Sequence, residues 1–306
     1  MRTRNHCRLV SLSLGVLVLA GCGSATGAAA GGAGLAVRAS FYPLQWISEE
    51  IGSDAVTVSG LTPPGAEPHD LELSPRDVAA ISDADLVVFL ADFQPAVDNA
   101  VAQEAADAAF DAAEHTDLDL TYSPIEEGRP SESSLDPHFW LDPMKLAEVA
   151  DALADRLGEL DPDHAAGFTA NARALRGELE TIDADLRLGL ATCENENLVT
   201  SHNSFGYLAN AYGLTQVGIT GLTPEEEPSA ARLAEVADFV EEHDVRTIYF
   251  ETLVRPAIAQ AIASEAGAET AVLDPIEGLT DESAGSDYLG IMRSNLAALR
   301  AGQPCT

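Results

Sequence analysis

The chain has 306 residues, 46% of them hydrophobic, with 16 Lys+Arg against 50 Asp+Glu and a formal net charge of -34. The hydrophobic share excludes global disorder, and the length exceeds what one core usually fills, which predicts two lobes. The charge argues against nucleic-acid binding, because a phosphate backbone needs a basic face; Lys145 is the one lysine present, so nearly all positive charge is Arg.

At the N-terminus Arg2, Arg4 and Arg8 precede the apolar run 9–20. That run is too short for a membrane span of about 20 residues but suits a signal-peptide core. It ends in Leu19-Ala20-Gly21-Cys22, small residues before a cysteine, which resembles a bacterial lipobox. We therefore expect residues 1–21 to be a signal peptide, Cys22 to carry lipid, and residues 22–34 to be a flexible tether. Cys7 leaves with the signal. Cys193 and Cys305 remain, in an oxidising compartment where disulfides persist. They are a candidate pair; two unpaired thiols are the alternative, and geometry decides between them.

The first lobe is expected over 35–161. Strands are predicted at Val37-Arg38-Ala39-Ser40-Phe41, Val56-Thr57-Val58 and the continuous apolar run Leu86-Val87-Val88-Phe89-Leu90. The last of these has the pattern of a parallel strand buried on both faces. A helix is predicted from Leu44 to Ile51, and a second opens at Ser74-Pro75-Arg76-Asp77 with Ser at the N-cap and an acid three residues on. Residues 117–135 are acidic and rich in breakers, and read as a surface loop.

A long amphipathic helix is predicted over 162–191, where Phe168, Leu175, Leu179, Ile182, Leu186 and Leu190 recur at spacings of three, four and seven. The second lobe, 192–306, repeats the order of the first. It has strands at Leu198-Val199-Thr200, Gln216-Val217-Gly218-Ile219, Thr247-Ile248-Tyr249-Phe250 and Ala271-Val272-Leu273, with helices near 205–212 and 229–243. The halves also share wording: Gly60-Leu61-Thr62-Pro63 before Glu67-Pro68, and Gly221-Leu222-Thr223-Pro224 before Glu227-Pro228. The fold class expected is α/β, two similar βα lobes joined by one long helix, with a site in the cleft between them.

Among the histidines, His115, His164 and His243 sit in polar helix ends and read as solvated surface. His69, His138 and His202 lie in loops that follow strands or are hemmed by prolines, where doubly wound sheets build their ligand sites. Asp274 closes a second-lobe strand and adds a carboxylate. Three imidazoles and a carboxylate make a transition-metal set. Glu67, Asp70 and Asp142 neighbour these histidines, and one of them is expected to accept a distal ring N–H. Glu251, at the end of a strand, is expected to support a ligand or substitute for one.

These segments identify a resemblance. Ser40-Phe41-Tyr42-Pro43-Leu44, Pro63-Pro64-Gly65-Ala66-Glu67-Pro68-His69-Asp70, Asp136-Pro137-His138-Phe139-Trp140-Leu141-Asp142-Pro143, Ser201-His202-Asn203-Ser204-Phe205-Gly206-Tyr207-Leu208, Glu227-Pro228-Ser229 and Leu273-Asp274-Pro275-Ile276 occur in family order. The chain resembles the solute-binding lipoproteins of zinc and manganese ABC importers. The resemblance implies two α/β lobes on a rigid helix, metal ligands at His69, His138, His202 and Asp274, and an ABC permease with its ATPase as partners. It also implies no enzymatic activity and an extracytoplasmic location, anchored to the cell membrane by lipid. The long His-rich loop of many zinc members is absent: residues 115–137 are short and acidic. A histidine at position 202, where manganese members tend to carry a carboxylate, favours Zn(II) as the transported ion over Mn(II). The alternatives are a zinc-dependent hydrolase with Glu67 as general base, and a chelate-binding or adhesin lipoprotein on the same fold. The absence of a His-Glu-x-x-His signature weighs against the hydrolase.

Overall fold

The computed structural model describes residues 34–122 and 134–305. The signal peptide, Cys22 and nearly all of the tether lie outside them.

Residues 34 onward form one compact unit with two four-stranded sheets. The first sheet runs β1 (Leu35–Ala39), α1 (Tyr42–Gly52), β2 (Val56–Gly60), α2 (Pro75–Ser82), β3 (Leu86–Phe89), α3 (Pro95–Glu104) and β4 (Ala109–Asp111). Its strand order is β2-β1-β3-β4 and every pair is parallel. All four residues of β3 are buried, as its unbroken apolar run requires of a strand covered on both faces. A short antiparallel pair, β5 (Thr121–Tyr122) with β6 (Ser134–Leu135), lies inside the stretch 117–135 expected to be loop throughout.

Two antiparallel helices follow, α4 (Pro143–Leu160) and α5 (Ala165–Leu190). The sequence pattern gave α5 and missed α4. Asp142 accepts from the Met144 N–H at 2.9 Å and Pro143 takes the first helical position, so the start of α4 has both a cap and a preset φ. Asp142 is thus a helix cap and does not contact a histidine ring. Helix α5 has 26 residues, about 39 Å at 1.5 Å per residue. Its buried face is Phe168, Ala172, Leu175, Leu179, Ile182, Leu186 and Leu190, the expected stripe with Ala172 added.

The second sheet comes from β7 (Asn197–Thr200), α6 (Gly206–Tyr212), β8 (Thr215–Gly218), α7 (Ala230–Glu242), β9 (Thr247–Phe250), α8 (Ala257–Ala266), β10 (Glu269–Val272) and α9 (Tyr288–Gly302). Its order, β10-β9-β7-β8, is again wholly parallel. In each sheet the chain crosses from one side of its first strand to the other, between β2 and β3 and between β8 and β9. These crossings open crevices at the strands' carboxyl ends. Cys193, just past α5, and Cys305, just past α9, form a disulfide, S–S 1.99 Å. One continuous apolar cluster spans both lobes through α1, α4, α5 and α9.

Candidate metal centre

The loop after β2 carries His69. Its backbone N–H donates to Glu67 Oε1 at 2.8 Å. The loop is pinned by Gln94, whose Nε2 donates to the Pro68 carbonyl and to Thr62 Oγ1, each at 3.1 Å. The His69 ring packs edge-on against Phe93, centroids 4.6 Å apart.

His138 caps the 3-10 turn Phe139–Leu141 and is fully buried. Its Nδ1 lies 2.7 Å from Asp136 Oδ1, which also accepts the His138 backbone N–H at 3.0 Å. His202 follows β7, fully buried, with Nδ1 2.6 Å from Glu251 Oε1. Ser201 Oγ donates to the same oxygen. In both rings a carboxylate accepts the Nδ1–H hydrogen bond, which leaves Nε2 as the nitrogen that faces the opposite side.

The Nε2 atoms point at one another. Those of His138 and His202 are 3.4 Å apart. Glu277, in the loop after β10, sends Oε1 to within 3.2 Å of His138 Nε2, 3.4 Å of His202 Nε2 and 3.5 Å of His69 Nε2. One ligand atom from each of His69, His138, His202 and Glu277 lies within 4.8 Å of all the others. A tetrahedral ion with bonds of about 2.05 Å has edges of about 3.3 Å, and these four separations match such edges. Glu277 is fully buried and neither carboxylate oxygen has a hydrogen-bond partner. His69 Nε2 has none either. Orphaned buried polar atoms are costly unless something joins them, and a divalent cation would join these.

The fourth converging group is therefore Glu277, three residues beyond the Asp274 expected from the sequence. Asp274 is buried but turned back on its own loop: Oδ1 accepts the Ile276 N–H at 2.8 Å and Oδ2 accepts from Thr252 Oγ1 at 3.4 Å. The turn it folds holds Ile276 at φ 59, a left-handed conformation that costs a β-branched residue about 1–3 kcal/mol. That strained step aims the Glu277 side chain inward. Burial pushes the Asp274 carboxyl up to about 6.

Asp136 is the other residue the sequence reading missed. The signal lies in Asp136-Pro137-His138, where an acid two residues before a histidine can fold back on it. Gly206 makes room, since a Cβ there would collide with Asp136 Oδ2. Glu251 stands behind His202, as a supporting group. Glu67 touches the backbone of His69 and not its ring; burial, then the Glu277 charge, pushes its carboxyl up to about 9. Asp70 is exposed, as are His115, His164 and His243.

The charge state follows from these contacts. Burial acts against protonation of His138 and His202, but Asp136 and Glu277 raise the first, and Glu251 with Glu277 raises the second well above an ordinary imidazole. His69, with no carboxylate behind its ring, is lowered by burial. Burial alone would raise Glu277, but the three imidazoles hold it well below the usual carboxylate range.

Residues 37–302 match the model of a family described as the zinc-uptake complex component A, periplasmic, ZnuA. The chain belongs to the ZnuA family. It is 35% identical over 300 residues to the high-affinity zinc uptake system protein ZnuA of Bacillus subtilis, covering 93% of each chain. It is 34% identical over 280 residues to the zinc-binding lipoprotein AdcA of Streptococcus pneumoniae, covering 87% of this chain and 55% of that one. It thus spans about half the length of AdcA. The Zn(II)-bound ZnuA-like domain of S. pneumoniae AdcA superposes with a TM-score of 0.74 at 34% identity, over 88% of this chain and 99% of that one. The laminin-binding protein Lmb of Streptococcus agalactiae, described as having adhesin and metal-transporting activity, gives 0.78 at 34% identity, over 88% and 99%. A ZnuA component is an extracytoplasmic carrier within an uptake complex and not an enzyme, which sets aside the hydrolase alternative.

Proposed function

We propose that this protein captures Zn(II) outside the cytoplasm and delivers it to an ABC permease driven by its ATPase. The observation that carries this reading is the convergence of three imidazole nitrogens on one carboxylate oxygen, 3.2 to 3.5 Å from it, with two of those nitrogens 3.4 Å apart. Three nitrogens and one oxygen suit zinc better than manganese, which prefers oxygen ligands. His69, His138, His202 and Glu277 are the ligands in this proposal, with Glu277 in place of Asp274.

His69 and His138 come from the first lobe, and His202 and Glu277 from the second. A shared ion favours the closed cleft by its differential affinity, and docking on the permease would part the two sets. We further propose that residues 1–21 are removed, that Cys22 is acylated, and that 22–34 tethers the body to the membrane. Lobes at 35–161 and 192–306 then sit about the 162–191 backbone helix.

Elemental analysis of the purified mature protein tests the cargo. One zinc per chain is expected, with the content falling in Glu277→Ala and unchanged in Asp70→Asn. A protein that prefers manganese in an equimolar mixture would overturn the assignment.

A further inference from the structure

Two loops from opposite lobes meet beside the metal centre. Trp140 lies two residues after His138, and Pro275 two residues before Glu277. The Trp140 indole Nε1 donates to the Pro275 carbonyl at 2.8 Å. Resting on the zinc reading of the site, we propose that Trp140 is a positioning residue: its indole N–H holds the turn that presents Glu277 to the three imidazoles.

The turn needs holding. Ile276 is fully buried at φ 59, and Glu277 has no hydrogen-bond partner at either oxygen. Apart from the three imidazoles it faces, nothing among the described residues holds the carboxylate, so its approach to them is set by the backbone that carries it. From behind, Asn295 of α9 brackets Asp274: Oδ1 accepts the Asp274 N–H at 2.9 Å and Nδ2 donates to the Asp274 carbonyl at 2.7 Å. From the front, the Trp140 N–H supplies the matching restraint on Pro275. The turn is clamped on two sides, as a strained conformation requires to persist.

Trp140 is itself fixed. It is fully buried among Phe41, Phe93 and Phe139, with ring centroids 4.8, 5.5 and 5.8 Å away. Its carbonyl accepts from Tyr288 Oη at 2.5 Å, and the Tyr288 ring stacks on Trp46 of α1 at 4.8 Å. Both the main chain and the side chain of Trp140 therefore grip the second lobe. The His138 ring is 5.2 Å from the indole. One hydrogen bond thus sets the separation of two ligands that belong to different lobes.

A double-mutant cycle separates this role from core packing. Trp140→Phe keeps an aromatic ring and removes the N–H. Zinc affinity, measured by chelator competition, should fall roughly 10- to 100-fold, through faster dissociation. In a Glu277→Gln background the same substitution should change affinity by less than about twofold, because the group it positions has lost its charge. Equal losses in both backgrounds would reduce Trp140 to packing and overturn the proposal, as would unchanged affinity in the wild-type background. If Trp140→Phe does not fold, Tyr288→Phe is carried through the same cycle: it frees the Trp140 carbonyl, and a smaller loss that also vanishes beside Glu277→Gln is expected. Additive losses there would overturn the role equally. A wild-type protein that takes up no zinc would instead overturn the reading of the site, a result distinct from either.

Discussion

Glu251 Oε1 lies 2.6 Å from His202 Nδ1, with both groups buried. The carboxylate fixes the ring's tautomer and raises the basicity of the nitrogen that faces the centre. Asp136 stands in the same relation to His138. His69 has no such partner among the described residues, and its ring packs edge-on against Phe93. Two of the three imidazoles are thus preorganised by charge and one by packing. Glu251→Ala and Asp136→Ala should each weaken zinc binding about 10- to 100-fold. Phe93→Leu, which leaves the tautomers untouched, should cost less. Chelator competition checks all three, and equal affinity for wild type and Glu251→Ala would remove the charge argument.

The same carboxylates make metal uptake a proton exchange. His138 and His202 are raised, burial notwithstanding, by Asp136, Glu251 and Glu277, so the metal-free site holds protons more tightly than free imidazoles do. Zinc must displace them. Affinity should fall with pH, and the fall should begin above the ordinary imidazole value of 6.5. Titration calorimetry in buffers of different ionisation enthalpy reads the release directly. An apparent enthalpy independent of buffer at pH 7 would contradict it.

The two lobes, the backbone helix and all three histidines were legible in the sequence because each rests on a local pattern. The apolar run of β3, the stripe on α5, the Pro-His steps at His69 and His138 and the strand-end position of His202 needed no knowledge of distant contacts. Helix α4 was missed although Asp142-Pro143 announces its start, because Asp142 was read as a neighbour of His138 and not as a cap. The fourth converging group, Glu277, was missed for a different reason. Asp274 and Glu277 share one loop, and which of them faces the cleft depends on the positive φ at Ile276 and on Asn295 holding Asp274 from α9. No local pattern encodes a backbone sign reversal at an isoleucine. Asp136 likewise needed the space at Gly206, seventy positions along the chain.

The metal-free protein should lose stability toward alkaline pH. The raised groups fix the sign. His138 and His202 contribute stability in full below 6.5, the unfolded value, and lose it as pH climbs through their higher folded values. Glu67 has the same sign: its neutral form is favoured in the fold, so stability drains between 4.5 and about 9. Glu277, held low, loses its contribution only on the acid side, below 4.5. The thermal midpoint of the metal-free protein should therefore be lower at pH 9 than at pH 6.5. With zinc bound, the cation balances Glu67 and Glu277 and the imidazoles are already deprotonated, so the decline should largely disappear. A metal-free midpoint that rises from pH 6.5 to 9 would refute the assignment of these buried charges.

The disulfide should matter for stability and not for the cargo. Cys193 and Cys305 are 112 residues apart in sequence, and the loop they close contains the whole second sheet. Loop entropy assigns such a bridge about 4–5 kcal/mol, an upper value here because the same ends are also joined by Glu194 N–H to the Pro304 carbonyl at 3.0 Å and by Gln303 Nε2 to the Asn197 carbonyl at 2.8 Å. The paired substitution Cys193→Ala with Cys305→Ala should cost about 2–4 kcal/mol, read as a fall of several degrees in thermal midpoint. The bridge lies beside the start of β7, whereas His202, Glu251 and Glu277 sit at the carboxyl ends of β7, β9 and β10. Strand packing separates the two ends, so zinc affinity of the folded double variant should match that of wild type. A marked loss of affinity at temperatures where the variant is fully folded would mean that the bridge reaches the metal centre, through α9 and the Asn295 clamp on the Glu277 turn.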